Sequence, residues 1–299
     1  MPQPIFRFAP SPNGPLHLGH ACSALLNADL ARERGGRLLL RMEDIDLARC
    51  SRAFEAAIIE DLAWLGLRWE APVRRQSEHF SDYAAALEGL RRRGLVYPCF
   101  CSRALVLAAA RALARNGVEP ARDPDGAPLY PGACRKLGPE EAATRAAAGA
   151  PHVWRLAMDR ALAEAGAALS WLEKGEGERV DTTPARPQDW GDAVLARRDT
   201  PTSYHLSVVV DDALQGVTDV VRGRDLFHAT SLHRLLQTLL GLPEPVYRHH
   251  VLVLDGEGRK LSKSAGSPAL RDLRSAGVSV SDLRVCLALD PAGRGRSPP

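Results

Sequence analysis

The sequence predicts an α/β protein with a parallel sheet and a ligand crevice at the carboxyl ends of its strands. Three observations carry that prediction. Ile5-Phe6-Arg7-Phe8 is a short apolar and aromatic run bounded by prolines, as a buried strand is. From Gly19 to about Arg34 apolar residues recur at helical spacing, and Gly35-Gly36 ends that helix. Arg37–Met42, reading Arg-Leu-Leu-Leu-Arg-Met, is a second buried strand. Strand, loop, helix and strand in this order make a βαβ unit. Such units give parallel strands with ligands at their carboxyl ends.

The remaining elements follow in order. Ala9-Pro10-Ser11-Pro12-Asn13-Gly14-Pro15 is a loop on turn chemistry alone. Helices are expected at Arg52–Leu65 and His79–Arg93. Tyr97 to Ala150 changes character, with three cysteines, several Pro and Gly, and alanine-rich helical pieces. It reads as an insertion. Strand patterns return near His152–Ala157, Tyr204–Val210 and Val217–Val221. A helix at about Leu226–Leu240 and the apolar run Val251–Leu254 come next. Gly256-Glu257-Gly258 opens a loop expected to be mobile, and the Pro/Gly/Arg-rich end is expected to be disordered. No internal repeat is visible.

Composition narrows the class. A chain of 299 residues allows one large domain or two small ones. Hydrophobic residues at 45% and charged residues at 25% exclude a disordered, collagenous or coiled-coil chain. Apolar runs such as Ala104–Ala110 are far shorter than the roughly 18 residues of a membrane span. The start, Met1-Pro2-Gln3-Pro4, lacks the basic and apolar regions of a secretory signal. Six unevenly spaced cysteines point to reduced thiols and a cytoplasmic location. The net charge of +3 does not demand nucleic acid, although a local basic face can still bind it. Only four lysines occur: Lys136, Lys174, Lys260 and Lys263. Two of them share one five-residue stretch.

Two motifs carry chemistry. His17-Leu18-Gly19-His20 opens a helix behind a strand and a Pro-rich loop. A helix N-terminus favours phosphate, two imidazoles add donors, and Gly19 leaves room for a nucleotide against the backbone. A pair of surface histidines or half a metal site is the plain alternative. Lys260-Leu261-Ser262-Lys263-Ser264 lies in a Gly-flanked loop after a strand. Mobile lysines can follow a migrating phosphate charge. A solvated Lys/Ser loop is its plain alternative, yet such a pattern is expected by chance only about 0.0002 times in a chain of this composition.

Together and in this order, the two motifs resemble the signatures of class I aminoacyl-tRNA synthetases. The resemblance implies a Rossmann-type catalytic domain that adenylates an amino acid with ATP, Mg2+ assisting, and transfers it to tRNA. It makes His17, His20 and Lys263 the catalytic residues. It assigns His17, Gly19, His20, Lys260 and Lys263 to ATP. Arg7-Phe8-Ala9-Pro10-Ser11-Pro12, Arg41-Met42-Glu43-Asp44-Ile45-Asp46, Tyr204 to Asp212 and Gly216 to Gly223 are similar to the glutamyl branch. That similarity implies L-glutamate as substrate, bound by Arg7, Ala9, Ser11, Glu43, Tyr204 and Arg222. The chemistry agrees, because Arg7 and Arg222 bring guanidinium forks for two carboxylates and Glu43 brings an anion for the ammonium. Which arginine takes which carboxylate stays open. Surface salt bridges and a core role for Tyr204 are the plain reading. Asp44 and Asp46 are taken as structural or ribose-side groups rather than a metal cluster.

Cys99-Phe100-Cys101 with Tyr130-Pro131-Gly132-Ala133-Cys134 offers three thiols near a turn, and zinc prefers thiolates in tetrahedral geometry. The residues alone leave the fourth ligand open, with His152 as one option; buried or free cysteines are the plain alternative. Cys-x-Cys followed by Tyr-x-x-x-Cys resembles the small glutamyl-queuosine branch, which implies one structural Zn2+ on Cys99, Cys101, Tyr130 and Cys134. Ser102–Leu129 is longer than that branch usually shows and is expected to carry an extra helix. Cys22, Cys50 and Cys286 read as helix-packing residues.

The resemblance thus divides the chain into 1–97, the first half of the catalytic domain; 98–150, a small zinc-binding insertion; 151–275, the second half with the lysine loop; and 276–299, a short extension. Only 35 residues follow Ser264, too few for an anticodon-binding domain. The implied reaction is transfer of glutamate to queuosine in the anticodon loop of tRNA(Asp), by a monomer without a membrane partner. A truncated glutamyl-tRNA synthetase charging a tRNA 3′ end is the first alternative. A nucleotidyltransferase acting on a small molecule would lack the lysine motif. A non-catalytic RNA-binding relative would usually have lost a signature residue, and all are intact here.

Overall fold

The structure is a computed structural model that describes residues 3–166, 168–175, 179–254 and 268–289. β1 (Ile5–Phe8), α1 (Leu18–Glu33) and β2 (Arg37–Met42) form the expected βαβ unit. β1 and β2 pair in parallel, with Ile5 beside Arg37 and Phe8 beside Leu40. α2 (Arg52–Trp64), capped by the Ser51 side chain, and α3 (Phe80–Arg92) lie where helical spacing puts them. β3 (Glu70–Arg75) runs between those two helices.

β4 (Val96–Cys99), β5 (Val153–Leu156) and β8 (Val194–Arg197) form a separate antiparallel sheet of three strands. Between β4 and β5 lie α4 (Arg103–Arg115) and α5 (Pro139–Ala147); α4 is the extra helix expected in 102–129. α6 (Met158–Ala165), β6 (Ser170–Lys174) and β7 (Val180–Pro184) precede β8. The chain then forms α7 (Tyr204–Leu214), β9 (Asp219–Gly223), α8 (Ala229–Leu240) and β10 (Val246–His250), with α9 (Leu270–Ser275) and α10 (Val280–Cys286) further on.

The main sheet has the order β3-β2-β1-β9-β10-β6-β7 and is parallel except for β7. From β1 the chain builds outward through β2 and β3, then adds β9 and β10 on the other side of β1. The order therefore reverses at β1/β9, and such a switch point leaves a crevice at the strand ends. Alternation along the strands sorts the two faces. Phe6, Phe8, Leu40 and Met42 join the core that packs α1 and α2, and Leu270, Leu283 and Leu289 extend it. Arg7 and Arg41 point to the opposite face, where both meet Asp212 of α7. α3, α7 and α8 share a second core with the small sheet.

Three expectations need correction. Tyr204–Val210 is helix, not strand, and the Ser203 hydroxyl caps it by accepting the Leu206 N–H. Every residue from Leu206 to Asp212 is buried, so the segment shows a continuous apolar run rather than a helical stripe. The strand leading toward the lysine loop is Val246–His250, ahead of the apolar run Val251–Leu254. Of the cysteines read as helix packing, only Cys22 fits; Cys50 lies before α2, and Cys286 is exposed at the end of α10. Among the described residues, no helix is long and apolar enough to cross a membrane.

Candidate active site

Four parallel strands end at one cleft of about 790 Å³. β1 and the loop after it supply Arg7, Ala9 and Ser11; β2 leads to Glu43; α7 begins with Tyr204; and β9 brings Arg222. His17, Gly19 and His20 line the same cleft from the start of α1. Nine of the residues singled out in the sequence thus share one crevice. Lys260 and Lys263 lie outside the described residues.

The start of α1 is built from its own side chains. His17 is the N-cap, and its Nδ1 accepts the Gly19 N–H at 3.1 Å. His20 Nδ1 accepts the His17 N–H at 3.1 Å, closing a reciprocal capping box. Both rings therefore use Nδ1 as acceptor, which puts the proton of each neutral ring on Nε2. The ring centroids are 3.9 Å apart. A Cβ on residue 19 would stand 3.0 Å from the His17 ring, so glycine is what lets that ring fold over the helix end. The result is a helix N-terminus edged by two imidazole N–H donors, a site suited to phosphate.

The two arginines of the cleft differ in charge balance. Arg7 Nε donates to Asp212 Oδ1 at 3.1 Å, so its charge is met by a buried carboxylate. Arg41, wholly buried beneath, donates to the same oxygen at 2.8 Å and reaches Glu43 at 3.3 Å. Burial alone would lower the Arg41 pKa; Asp212, Glu43 and Asp211 outweigh it and hold it above its ordinary value. Arg222, only 5% exposed, has no carboxylate within ion-pair distance among the described residues. A buried cation on a cleft without its own anion is a receptor for an anionic ligand. Burial raises the Glu43 carboxyl pKa, against the pull of Arg41 and Arg7, and burial also raises the Tyr204 phenol.

Asp44 accepts the Ser77 N–H at 2.9 Å and its hydroxyl at 2.5 Å, a structural role. Asp46 pairs with Arg49 at 2.6 Å. Sequence reasoning missed Asp212, Thr230, His233 and His249, all of which surround the two cleft arginines. The Asp-Asp pair in α7 was visible but carried no signal of which strand it faces.

A second cluster lies at the end of β4. The thiols of Cys99, Cys101 and Cys134 lie within 4.8 Å of one another. Cys101 Sγ is 3.5 Å from Cys134 Sγ and 3.7 Å from Tyr130 Oη. Donors about 2.3 Å from a tetrahedral zinc stand about 3.8 Å apart, so these spacings fit that ion. The Arg155 guanidinium lies 4.2 Å over the Tyr130 ring, while burial and the neighbouring thiols push the Tyr130 phenol above its ordinary value. His152 is not in the thiol group; its Nδ1–H donates to the Ala150 carbonyl at 2.8 Å.

This architecture is that of a class I synthetase catalytic domain. The model of the family described as tRNA synthetases class I (E and Q), catalytic domain, matches residues 5–278, and the chain belongs to that family. Among curated relatives, a protein of Rhodobacter capsulatus named glutamyl-Q tRNA(Asp) synthetase is 49% identical, with 95% of this chain and 100% of the relative covered. One of the same name from Nocardia farcinica is 41% identical over 98% of this chain and 86% of its own length. Among solved structures, a glutamate tRNA ligase from Elizabethkingia meningosepticum in complex with its amino acid superposes with a TM-score of 0.71. It is 27% identical over 92% of this chain and 53% of its own.

Proposed function

We propose that this chain activates L-glutamate with ATP and transfers it to queuosine in the anticodon loop of tRNA(Asp). The observation that carries the reading is one cleft holding both a phosphate-binding helix end and the buried Arg222, which has no carboxylate within ion-pair distance among the described residues. The relatives named glutamyl-Q tRNA(Asp) synthetase are matched over 100% and 86% of their own lengths, which supports the acceptor.

His17 and His20 present Nε2–H donors to the α-phosphate as its charge builds during attack by the amino-acid carboxylate. Lys263, with Lys260, meets the departing pyrophosphate, and Mg2+ screens the phosphates. Arg222 receives one glutamate carboxylate, with the Tyr204 hydroxyl beside it. Arg7 and Ser11 face the other end, Glu43 takes the ammonium, and Ala9 leaves room. A nucleophilic hydroxyl of the queuosine diol then attacks the glutamyl carbonyl and releases AMP. Cys99, Cys101, Tyr130 and Cys134 hold one structural zinc that ties Tyr130 and Cys134 back to the end of β4. The enzyme works in the cytoplasm as a monomer.

ATP–pyrophosphate exchange with glutamate, without tRNA, tests the activation step. Exchange that depends on glutamate and not on aspartate or glutamine is expected. Absence of exchange in the zinc-replete protein overturns the reading.

A further inference from the structure

Arg222 commits all five of its N–H donors inside the protein. Nε donates to His249 Nε2 at 3.1 Å. Nη1 donates to His233 Nδ1 at 3.2 Å and to Tyr204 Oη at 3.5 Å. Nη2 donates to Thr230 Oγ1 at 2.7 Å and to the Leu226 carbonyl at 3.2 Å. Arginine has no acceptor, so the imidazole nitrogens that face it must be unprotonated. Each ring then carries its proton on the far nitrogen.

For His249 that far proton has a fixed receiver. Nδ1–H donates to Glu173 Oε2 at 2.8 Å, Trp171 Nε1–H donates to the same oxygen at 3.0 Å, and the His249 backbone N–H donates to Glu173 Oε1 at 2.8 Å. Burial pushes the His249 ring down to about 4, against the pull of Glu173. Burial also works to raise Glu173, but its bonds from His249 prevail and leave it below the ordinary value. A neutral ring beside an ionised carboxylate is the outcome. On the other edge, His233 Nε2–H donates to His205 Nδ1 at 3.2 Å.

We propose that Glu173 and His249 are positioning residues for Arg222, fixing its guanidinium as the carboxylate receptor of the cleft. This rests on the reading of Arg222 as that receptor. The logic is one of charge at a distance. Arg7 is touched directly by Asp212, a carboxylate that it shares with Arg41. Arg222 meets Glu173 only through a neutral imidazole, so its charge stays available to substrate. The Nη1 contact to Tyr204 is the longest of the five, and both residues line the cleft. That edge is the one a substrate carboxylate takes over, while His249 and Thr230 keep the rest of the fork in place.

The test is ATP–pyrophosphate exchange with glutamate and ATP varied separately, and thermal unfolding followed in parallel. In His249→Ala the KM for glutamate should rise about tenfold or more, with KM for ATP and kcat moving less than about threefold. His249→Gln keeps an acceptor near the Nε2 position and should recover most of the loss. Glu173→Gln, close to isosteric, turns an amide N–H toward His249 and should also raise the glutamate KM; it serves if the alanine variant does not fold. In an Arg222→Lys background, His249→Ala should add little, because the two act as one unit. An Arg222→Lys variant with normal glutamate KM removes the underlying reading, and the proposal falls with it. A raised KM in Arg222→Lys but not in His249→Ala or Glu173→Gln overturns the positioning role alone. Equal changes for glutamate and ATP, or no rescue by glutamine, would reduce His249 to a structural residue and overturn it too.

Discussion

Replacing Asp212 by asparagine removes one charge from beneath the cleft and almost nothing else. Both guanidinium donors, Arg7 Nε at 3.1 Å and Arg41 Nη1 at 2.8 Å, go to the same oxygen, Oδ1. The asparagine carbonyl can accept both. What is lost is the counter-charge of two buried cations. Removing one partner of a buried ion pair costs about 3–5 kcal/mol. Arg41 keeps Glu43 at 3.3 Å and Asp211 at 3.7 Å, so the low end, about 3 kcal/mol, is expected here. For a chain of this size that lowers the unfolding midpoint by about 5 °C. The pH dependence follows from the direction of the shift. Burial works to raise the Asp212 pKa, but Arg7 and Arg41 outweigh it and leave it lowered. Its contribution is therefore complete above the unfolded carboxyl value, roughly 3.9, and fades as pH falls through the folded value. Calorimetry of both proteins should show a constant gap from neutral pH to about pH 5 that closes on further acidification. An Asp212→Asn protein as stable as the parent at neutral pH, or a gap that widens in acid, would refute this assignment.

Three further outcomes are expected. Lys263→Ala should slow glutamate-dependent pyrophosphate exchange about 100-fold or more, because a charge-assisted contact to the transition state is lost; near-normal exchange would remove Lys263 from the mechanism. Elemental analysis of protein purified without chelator should find one zinc per chain, lost in Cys134→Ser; zinc retained unchanged in Tyr130→Phe would give the fourth position to water or to another residue. Arg284 grips the buried Asp29 carboxylate at 2.6 and 3.0 Å and so ties α10 to α1. Arg284→Ala should cost about 1–3 kcal/mol in denaturant unfolding and leave exchange kinetics unchanged, and an undiminished midpoint would show that the contact carries no weight.

The first βαβ unit is legible in the sequence because two short apolar runs flank a stretch of helical spacing, with clear Pro and Gly boundaries. β1 and β2 lie where they were expected. α7 was misread for a physical reason: buried on all sides, Leu206-Ser207-Val208-Val209-Val210 has the β-branched, unbroken apolar look of an interior strand. Only Ser203, the cap, marked it as a helix. β10 was missed for the opposite reason. Its Tyr247, Arg248, His249 and His250 look like surface residues, yet Tyr247 is buried and His250 lines the cleft. The residues of the cleft itself were found through motifs, not through propensity. What motifs cannot supply is the support behind them. Nothing in the spacing of Glu173, Arg222 and His249 along the chain brings them together; β6, β9 and β10 do so by lying side by side in the sheet.

The acceptor of the activated glutamate is the centre of the account, and one transfer assay addresses it. Labelled glutamate, ATP and the enzyme are incubated with tRNA from cells able or unable to make queuosine. Part of the queuosine-containing tRNA is first treated to oxidise its 3′ end with the queuosine diol left intact. The account predicts label on queuosine-containing tRNA(Asp), retained after 3′ oxidation and absent from tRNA without queuosine. Label that persists without queuosine, or that disappears when only the 3′ end is oxidised, would contradict it and make this chain a charger of tRNA 3′ ends.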